Sequence, residues 1–265
     1  MVFVLTVILF AFGCAIGSFL NVLIDRIPRG ESISRGRSHC DSCKKTLQWY
    51  DLIPLLSFVS IGGKCRYCRA KLSWFYPLIE TTTGVLFVLT FLFLTQNPEF
   101  SVYDPGSVVS LLYYLFVISI LIVLFFTDLR SGIIPFVVIM PAIAVSVLYL
   151  LFLNPLFITQ HLLAALSGFI FFLFLFLVTK GRGMGFGDVV LAFYMGLLLR
   201  YPGIITAYYI AFLTGAGVSL ILILGKKKKF SGGTIPFGPF LILGTLISLF
   251  FGEYIFNFAL QFFYG

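Results

Sequence analysis

The chain has 265 residues, of which 60% are hydrophobic, 18% are aromatic and 11% are charged. Soluble domains carry about 25% charged residues, so this composition excludes an ordinary soluble globular protein and predicts one that crosses a membrane several times. The apolar runs are long and continuous, which favours an all-α polytopic membrane protein over a barrel of short alternating strands. The formal net charge of +8 is not by itself a sign of nucleic-acid binding, and we expect no nucleic-acid partner.

Eight apolar runs predict about eight transmembrane helices. They lie at 2–24, 75–96, 107–127, 134–153, 161–179, 189–200, 203–225 and 235–262. A crossing needs about 20 residues; the run 189–200 is shorter and is counted because it makes the charges of the loops consistent. The first run has no basic residues before it and is longer than the core of a secretory signal, so we expect a retained helix.

The basic residues indicate the orientation of the chain. Ten of the 18 Lys and Arg residues lie in 25–74, and only Arg200 falls in a loop on the opposite side. By the positive-inside rule, 25–74 is cytoplasmic and the N-terminus is external. The run 226–229 consists of four lysines on the cytoplasmic side. It could bind anionic lipids or an acidic partner, or it could only fix the topology.

The segment 25–74 is predicted to be a small domain held together by zinc, because it is too short to form a sufficient core unaided. It contains two CxxC pairs, Cys40, Cys43, Cys65 and Cys68. Two such turns supply four thiolates to one tetrahedral metal and leave no open position, which predicts a structural Zn²⁺ site. Two disulfides are the alternative, which a reducing cytoplasm disfavours. In chain order we expect a first helix, this zinc-binding domain and a seven-helix membrane domain, at 1–24, 25–74 and 75–265.

Two acids, Asp128 and Asp188, stand at the ends of apolar runs on the predicted cytoplasmic side. Each has an ordinary explanation: Asp128 could be a helix-end charge paired with Arg130, and Asp188 could cap the start of a helix. Two carboxyls that face each other, however, cannot both ionise cheaply, so they share a proton. One then acts as a general base on a water while the protonated one polarises a peptide carbonyl. This is the chemistry of an aspartic protease, and it needs no metal.

Glycine and proline residues flank these acids in the sequence. The run before Asp188 contains Gly183, Gly185 and Gly187. A backbone without side chains could admit an extended substrate strand beside this acid. Near the end of the chain, Pro236 and Gly238 lie in a helix-breaking run that could line a groove near the acids or only shape the start of a helix.

Six motifs in order resemble those of the type IV prepilin peptidases, membrane aspartyl proteases of the GxGD type, over nearly the whole chain. They are Gly17-Ser18-Phe19-Leu20-Asn21-Val22 with Asp25-Arg26-Ile27-Pro28, the two CxxC pairs, Tyr76-Pro77-Leu78-Ile79-Glu80, Asp128-Leu129-Arg130 with Ile134-Pro135, Gly185-Phe186-Gly187-Asp188, and Ile235-Pro236-Phe237-Gly238-Pro239-Phe240. The chain departs from the family at Val190, where members commonly carry Lys two residues after the second catalytic acid.

The resemblance implies that Asp128 and Asp188 are the catalytic pair, in a multi-pass protein of the bacterial inner membrane. The implied substrates are prepilins and pseudopilins, cut after a glycine at the cytoplasmic face. It also implies N-methylation of the new amino terminus with S-adenosylmethionine. The sequence has no Rossmann-type cofactor fingerprint, so this second activity rests on the resemblance alone. Residues expected to support the substrate or the loops are Gly185, Gly187, Glu80, Pro236 and Gly238.

The roles of several polar residues, and two alternatives for the function, stay open. Asn21, Asp25 and Glu80 could serve the leader or the methyl-transfer site, or could pair structurally, for example with Arg26. Asp51 is expected to be a solvated surface charge. The alternatives in function are a peptidase without methyltransferase activity and a transporter or scaffold with acids as relays. A transporter would show inverted repeats and acids near the midplane. The sequence leaves the oligomeric state open.

Overall fold

The computed structural model describes residues 2–33, 36–153, 155–224 and 236–264. Within these ranges the chain is helical, and its only β pairings are two isolated bridges, His39 with Thr46 and Lys64 with Lys71. The α-helices are α1 Val2–Arg26, α2 Leu56–Ser60, α3 Phe75–Leu94, α4 Pro105–Ser131, α5 Phe136–Leu153, α6 Ile158–Val178, α7 Phe186–Leu224 and α8 Gly238–Tyr264. Two 3₁₀ turns, Ile27–Arg29 and Trp49–Leu52, complete the regular structure.

Seven helices of the described chain are long and apolar enough to cross a membrane, which confirms the predicted all-α polytopic class. All eight predicted apolar runs lie largely within helices. The short run 189–200 and its neighbour 203–225 form the two parts of α7, on either side of a break. The predicted lysine run 226–229 lies outside the described residues.

Helix α7 is broken at Arg200 and Tyr201, whose backbone angles are not helical. The cause is Pro202, because a proline lacks the amide of the helix ladder and pushes the residue before it towards an extended conformation. Tyr201 has that conformation, with φ −85° and ψ 142°. The 14 helical residues before the break would rise about 21 Å at 1.5 Å per residue, less than the roughly 30 Å of a hydrocarbon core.

The break also explains Glu253, for which the sequence pattern suggested no role. Arg200 Nη2 lies 3.2 Å from Glu253 Oε1 in α8. The two side chains are 36% and 71% exposed, so this is a surface ion pair.

The chain divides into two compact units, Met1–Val123 and Leu124–Gly265, here called the first and the second unit. In the first unit, α1 packs on α3 through glycines. A Cβ atom on Gly13 would lie 2.7 Å from the Cα of Gly84, and one on Gly17 would lie 2.7 Å from the Cα of Glu80. Small residues let two membrane helices approach this closely.

In the second unit, α7 packs against both α6 and α8, again at small residues. The backbone of Gly196 lies against Ala165 of α6, and that of Gly244 lies against Ala207 of α7. The large side chains that fill this unit include Tyr194 and Phe172, both fully buried. The close crossings hold the ends of α7 and α8 in position, and those ends carry residues of the candidate site.

Candidate active site and metal centre

Asp128 lies in the last turn of α4 and is 4% exposed. The helix ends just beyond it because Gly132 adopts a left-handed conformation, φ 66°, and donates its amide to the Asp128 carbonyl at 2.8 Å. The carboxylate lies against the backbone of Gly238, and its Oδ2 atom has no hydrogen-bond partner among the described residues. Asp128 thus lies at a helix end, as the ordinary explanation had it, but it forms no ion pair with Arg130 in the described part of the chain.

Asp188 is the third residue of α7 and is 7% exposed. Its Oδ2 accepts the Gly185 amide at 3.2 Å. The third residue of the helix thus accepts from the residue before the helix, whereas an N-cap residue accepts from amides that follow it. Asp188 therefore does bond to the backbone at the helix start, but from inside the helix and not from the N-cap position.

Both acids line one cavity of about 240 Å³ in the second unit. Its other lining residues include Gly132, Ile134, Gly181, Arg182, Gly183, Met184, Gly185, Gly187, Pro236 and Phe237. A Cβ atom on Gly187 would lie 2.9 Å from Ile134 Cβ, so only glycine fits there. Gly185 is less crowded, because a Cβ atom at this position would make only van der Waals contact, with Gly187 N at 3.9 Å and Asp188 Oδ2 at 4.0 Å. The second unit thus brings together the predicted residues Asp128, Asp188, Gly185, Gly187, Pro236 and Gly238.

The four predicted metal ligands are also together, in the first unit. All four Sγ atoms lie within 4.8 Å of one another. The Cys40 and Cys68 sulfurs are 3.8 Å apart, too far for a disulfide. Two sulfurs at about 2.3 Å from a tetrahedral zinc would be separated by about 3.8 Å. The cluster can therefore hold a metal ion such as zinc.

The two cysteine turns have the same backbone structure, a local repeat that the sequence pattern did not reveal. In the first turn the Cys40 amide donates to Lys45 O and the Lys44 amide donates to Cys40 O; Cys65, Ala70 and Arg69 repeat this pattern in the second. Lys44 and Arg69 occupy the same place and both have positive φ, 57° and 61°. Each CxxC sequence thus forms a tight turn that presents two sulfurs to one side.

The electrostatics of the cluster favour a cation. The Cys68 and Tyr67 amides donate to the Cys65 sulfur and lower the pKa of that thiol to about 7. The Ala70 amide lowers the pKa of Cys68, but burial and the sulfurs of Cys65, Cys43 and Cys40 raise it to about 11. Four clustered sulfurs therefore cannot all ionise unless a metal ion compensates their charge.

Asp51 was predicted to be a solvated surface charge, and the structure shows that this prediction was wrong. Its side chain is only 3% exposed and pairs with Arg66 Nε at 2.8 Å, and it also accepts from the Tyr67 hydroxyl and the Gln48 amide. Burial alone would raise the pKa of Asp51, but these donors lower it below its usual range. This acid fastens the second cysteine turn to the 3₁₀ turn before α2, and it is not a solvated charge.

Glu80 does not belong to the aspartate cavity of the second unit. It lines a cavity of about 330 Å³ in the first unit, together with Asn21, Asp25 and Tyr76. Asn21 donates to Tyr76 O at 3.2 Å, and the Tyr76 hydroxyl donates to Asp25 at 3.3 Å. These polar residues of α1 and α3 thus form one wall of the cavity.

Comparison with known proteins agrees with this arrangement. The bacterial peptidase A24 N-terminal domain matches residues 11–94, and the type IV leader peptidase family matches residues 115–220. A prepilin leader peptidase/N-methyltransferase of Bacillus subtilis is 31% identical over 262 residues, which cover 96% of this chain and 97% of that protein. The chain belongs to the type IV leader peptidase family.

Other relatives of this leader peptidase family carry the same name. The protein of Myxococcus xanthus is 32% identical over 226 residues, 84% of this chain but only 64% of that protein, and the protein of Legionella pneumophila is 30% identical over 284 residues, 93% of this chain and 91% of that protein. No solved structure matches the chain. The family and these names support a protease with methyltransferase activity. They also support a multi-pass protein of the inner membrane. They favour this enzyme over the transporter that was the alternative.

Within the leader peptidase fold, Val190 is the residue at which this chain departs from the expected lysine. It lies two residues after Asp188 and is 7% exposed. A lysine at such a position would need a buried partner for its charge. Here an apolar side chain packs into the start of α7 without that requirement.

Proposed function

We propose that the protein removes the basic leader of type IV prepilins or pseudopilins, using Asp128 and Asp188 as the catalytic pair. The observation that carries this proposal is the aspartate cavity, in which two buried carboxylates from different helices share one space. Neither acid has an ion-pair partner in the described ranges. Buried acids within a membrane protein are costly and are retained for function.

The chemistry follows from two carboxyls sharing one proton. The ionised acid takes a proton from a water molecule as the water oxygen attacks the carbonyl carbon of the scissile peptide, while the protonated acid donates a hydrogen bond to the carbonyl oxygen. The C–N bond then breaks, the leaving amine takes up a proton from the pair, and the two acids again share one proton. Both acids line the same cavity, which places their carboxyl groups on one space for such a contact. Gly185 lines the cavity without a side chain beside Asp188, which supports the approach of an extended substrate backbone there.

The proposed cleavage occurs after a glycine at the cytoplasmic face. The distribution of Lys and Arg supports this orientation, with the N-terminus external. A Zn²⁺ ion on Cys40, Cys43, Cys65 and Cys68 stabilises the loop and takes no part in the reaction, because four protein ligands leave no open position.

The second proposed activity is N-methylation of the new amino terminus, with S-adenosylmethionine as the methyl donor. The 330 Å³ cavity of the first unit is within the usual range of ligand pockets, about 300–1,000 Å³. Its polar wall from α1 and α3 supports it as the binding site. A peptidase without this second activity is the alternative.

Asp128→Asn and Asp188→Asn, made separately, test the catalytic pair on a purified prepilin. Loss of a general acid or base lowers rates by about 10²–10⁴-fold, and we expect a loss of this size for each variant. Glu99→Gln, at an exposed position, is the matched control and should cleave at the wild-type rate. Full cleavage by either aspartate variant would refute the dyad.

Methyl transfer is tested separately, with labelled S-adenosylmethionine and a pilin that has already been cleaved. Label in the pilin supports the second activity. No transfer by a preparation that cleaves prepilin would leave the peptidase alone as the function.

A further inference from the structure

The cavity of the first unit contains a buried acid that forms no ion pair in the described part of the chain, although basic residues such as Arg29 and Lys71 also line this cavity. Glu80, one turn into α3, is 7% exposed. Its Oε2 accepts the Leu55 amide at 2.9 Å, and the Ser18 hydroxyl also donates to the carboxylate. No lysine or arginine in the described part of the chain pairs with it.

Arg26 was the partner that the sequence suggested, and it is committed elsewhere. Its guanidinium donates to Ser32 O at 3.0 Å and to Gly36 O at 3.3 Å, at the start of the loop. Two neutral donors orient the Glu80 carboxylate, but they do not cancel its charge. A buried carboxylate without a cation is costly, and a cation that enters from the solvent removes this cost.

The packing of α1 on α3 keeps Glu80 at the cavity wall. Gly17 of α1 lies against the backbone of Glu80, so the helices touch there without an intervening side chain. Ser18 and Asn21 of α1 and Tyr76 of α3 line the same cavity. The acid is therefore fixed by its helix, by two hydrogen bonds and by a close helix contact.

We propose that Glu80 is the anionic subsite that binds a primary ammonium group in this cavity. The inference rests on the proposed methyl transfer, in which two ligands carry such a group: the new amino terminus of the cleaved pilin and the amino-acid end of S-adenosylmethionine. Both present an ammonium group with three N–H donors. Charge-assisted hydrogen bonds between an ammonium and a carboxylate are about twice as strong as neutral ones.

The structure also offers a competing role for Glu80, as a simple anchor for the loop through the Leu55 amide. Glu80→Gln separates the two roles, because the glutamine carbonyl still accepts from Leu55 while the charge is lost. Glu80→Leu removes both. Glu99→Gln makes the same chemical change at an exposed site.

The experiment measures binding to the full chain in detergent micelles by equilibrium dialysis. The probes are S-adenosylmethionine, S-adenosylhomocysteine, and a cleaved pilin with a free or an acetylated amino terminus. Loss of a hydrogen bond to a charged group predicts that Glu80→Gln weakens the ammonium ligand about 10–100-fold. Zinc content and thermal unfolding should match the wild type, and Glu99→Gln should bind normally.

The probes distinguish the source of the ammonium. Weaker binding of both adenosyl ligands assigns the subsite to the methyl donor. Weaker binding of the free-amine pilin, with the acetylated form unaffected by the substitution, assigns it to the acceptor. Unchanged binding of all probes by Glu80→Gln, while the wild type methylates, overturns the inference alone. If the wild-type protein binds no probe and transfers no methyl group, the inference and the second activity are both overturned.

Discussion

Each of the two units contains a cavity lined by buried acidic side chains, and the cavities differ in the hydrogen bonds that these side chains accept. In the first unit, Glu80 takes two fixed donors, from Leu55 and Ser18. In the second, Asp128 leaves one oxygen without a partner in the described structure. A carboxylate held by fixed donors is suited to binding a cation in one orientation. Two acids that line one cavity are suited to exchanging a proton with water and substrate.

The cavities also differ in what supports them. The first cavity is lined by α1, α3 and a loop that has few buried apolar side chains, Phe58 among them. The second cavity is built from the ends of helices that cross closely at small residues. Damage to the loop should therefore affect the first cavity more than the second, and damage to the crossings of α7 with α6 and α8 should do the reverse.

Removal of the metal is expected to have the largest effect. Metal binding in small zinc domains supplies about 10–16 kcal/mol of folding free energy, so Cys65→Ser should reduce zinc from about one ion per chain to nearly none. The loop should then become sensitive to protease, and methyl transfer should fall more than cleavage. Cys14→Ala is the control, since Cys14 lies in α1 and outside the cluster. Normal zinc content in Cys65→Ser would contradict the four-ligand site.

Gly238→Ala should have the next largest effect, on the second cavity. Its Cβ atom would meet the Asp128 carboxylate and also approach Ile134 at 3.3 Å. A shift of about 1 Å in a reacting group can cost about 100-fold in rate, and we expect cleavage to fall by this factor.

Gly217→Ala in α7 is the matched control for that substitution, because its Cβ atom would have no neighbouring atom within 4 Å. It should retain most of the cleavage activity and be equally well folded. Equal losses in the two variants would mean that the contact with Asp128 is not what matters.

Gly17→Ala should destabilise the first unit by a smaller amount. The added Cβ atom would lie 2.7 Å from the Cα of Glu80, a backbone atom that cannot turn aside. Overpacking of this kind costs about 1–3 kcal/mol, and methyl transfer should decline relative to cleavage. Gly217→Ala in α7 meets no atom within 4 Å and should leave the thermal unfolding temperature unchanged or slightly higher. A harmless Gly17→Ala would contradict the close contact of α1 with α3.

The smallest effect is expected for the ion pair of Arg200 with Glu253. Exposed pairs contribute about 0–1 kcal/mol, and a double-mutant cycle with Arg200→Gln and Glu253→Gln should give a coupling energy in this range. Cleavage should not change. A coupling energy of several kcal/mol would mean that the pair is buried in the membrane protein as it exists in lipid.

The helices could be predicted from the sequence because a membrane helix satisfies its backbone within one continuous apolar run. The cysteine turns were predictable for a related reason, since the CxxC spacing brings two sulfurs together locally. The break in α7 follows from Pro202. The two site acids could be selected because charged residues at the ends of apolar runs are rare and costly.

Other features depend on contacts between residues far apart in the chain, which no local pattern encodes. Asp51 is buried only because Arg66 and Tyr67 fold back on it, and Glu253 acquires a partner only where α7 breaks. Gly238 lies against Asp128 through the packing of the second unit.

The sequence by itself determined the membrane class, the helices, the candidate metal ligands and the two candidate catalytic acids. Each of these rests on composition or on spacing within one segment. The tertiary structure decided that Asp128 and Asp188 share a cavity and that Glu80 lines a different one. The physical reason is that helix packing depends on which small residues allow two backbones to touch, and such contacts join positions that are distant in the chain.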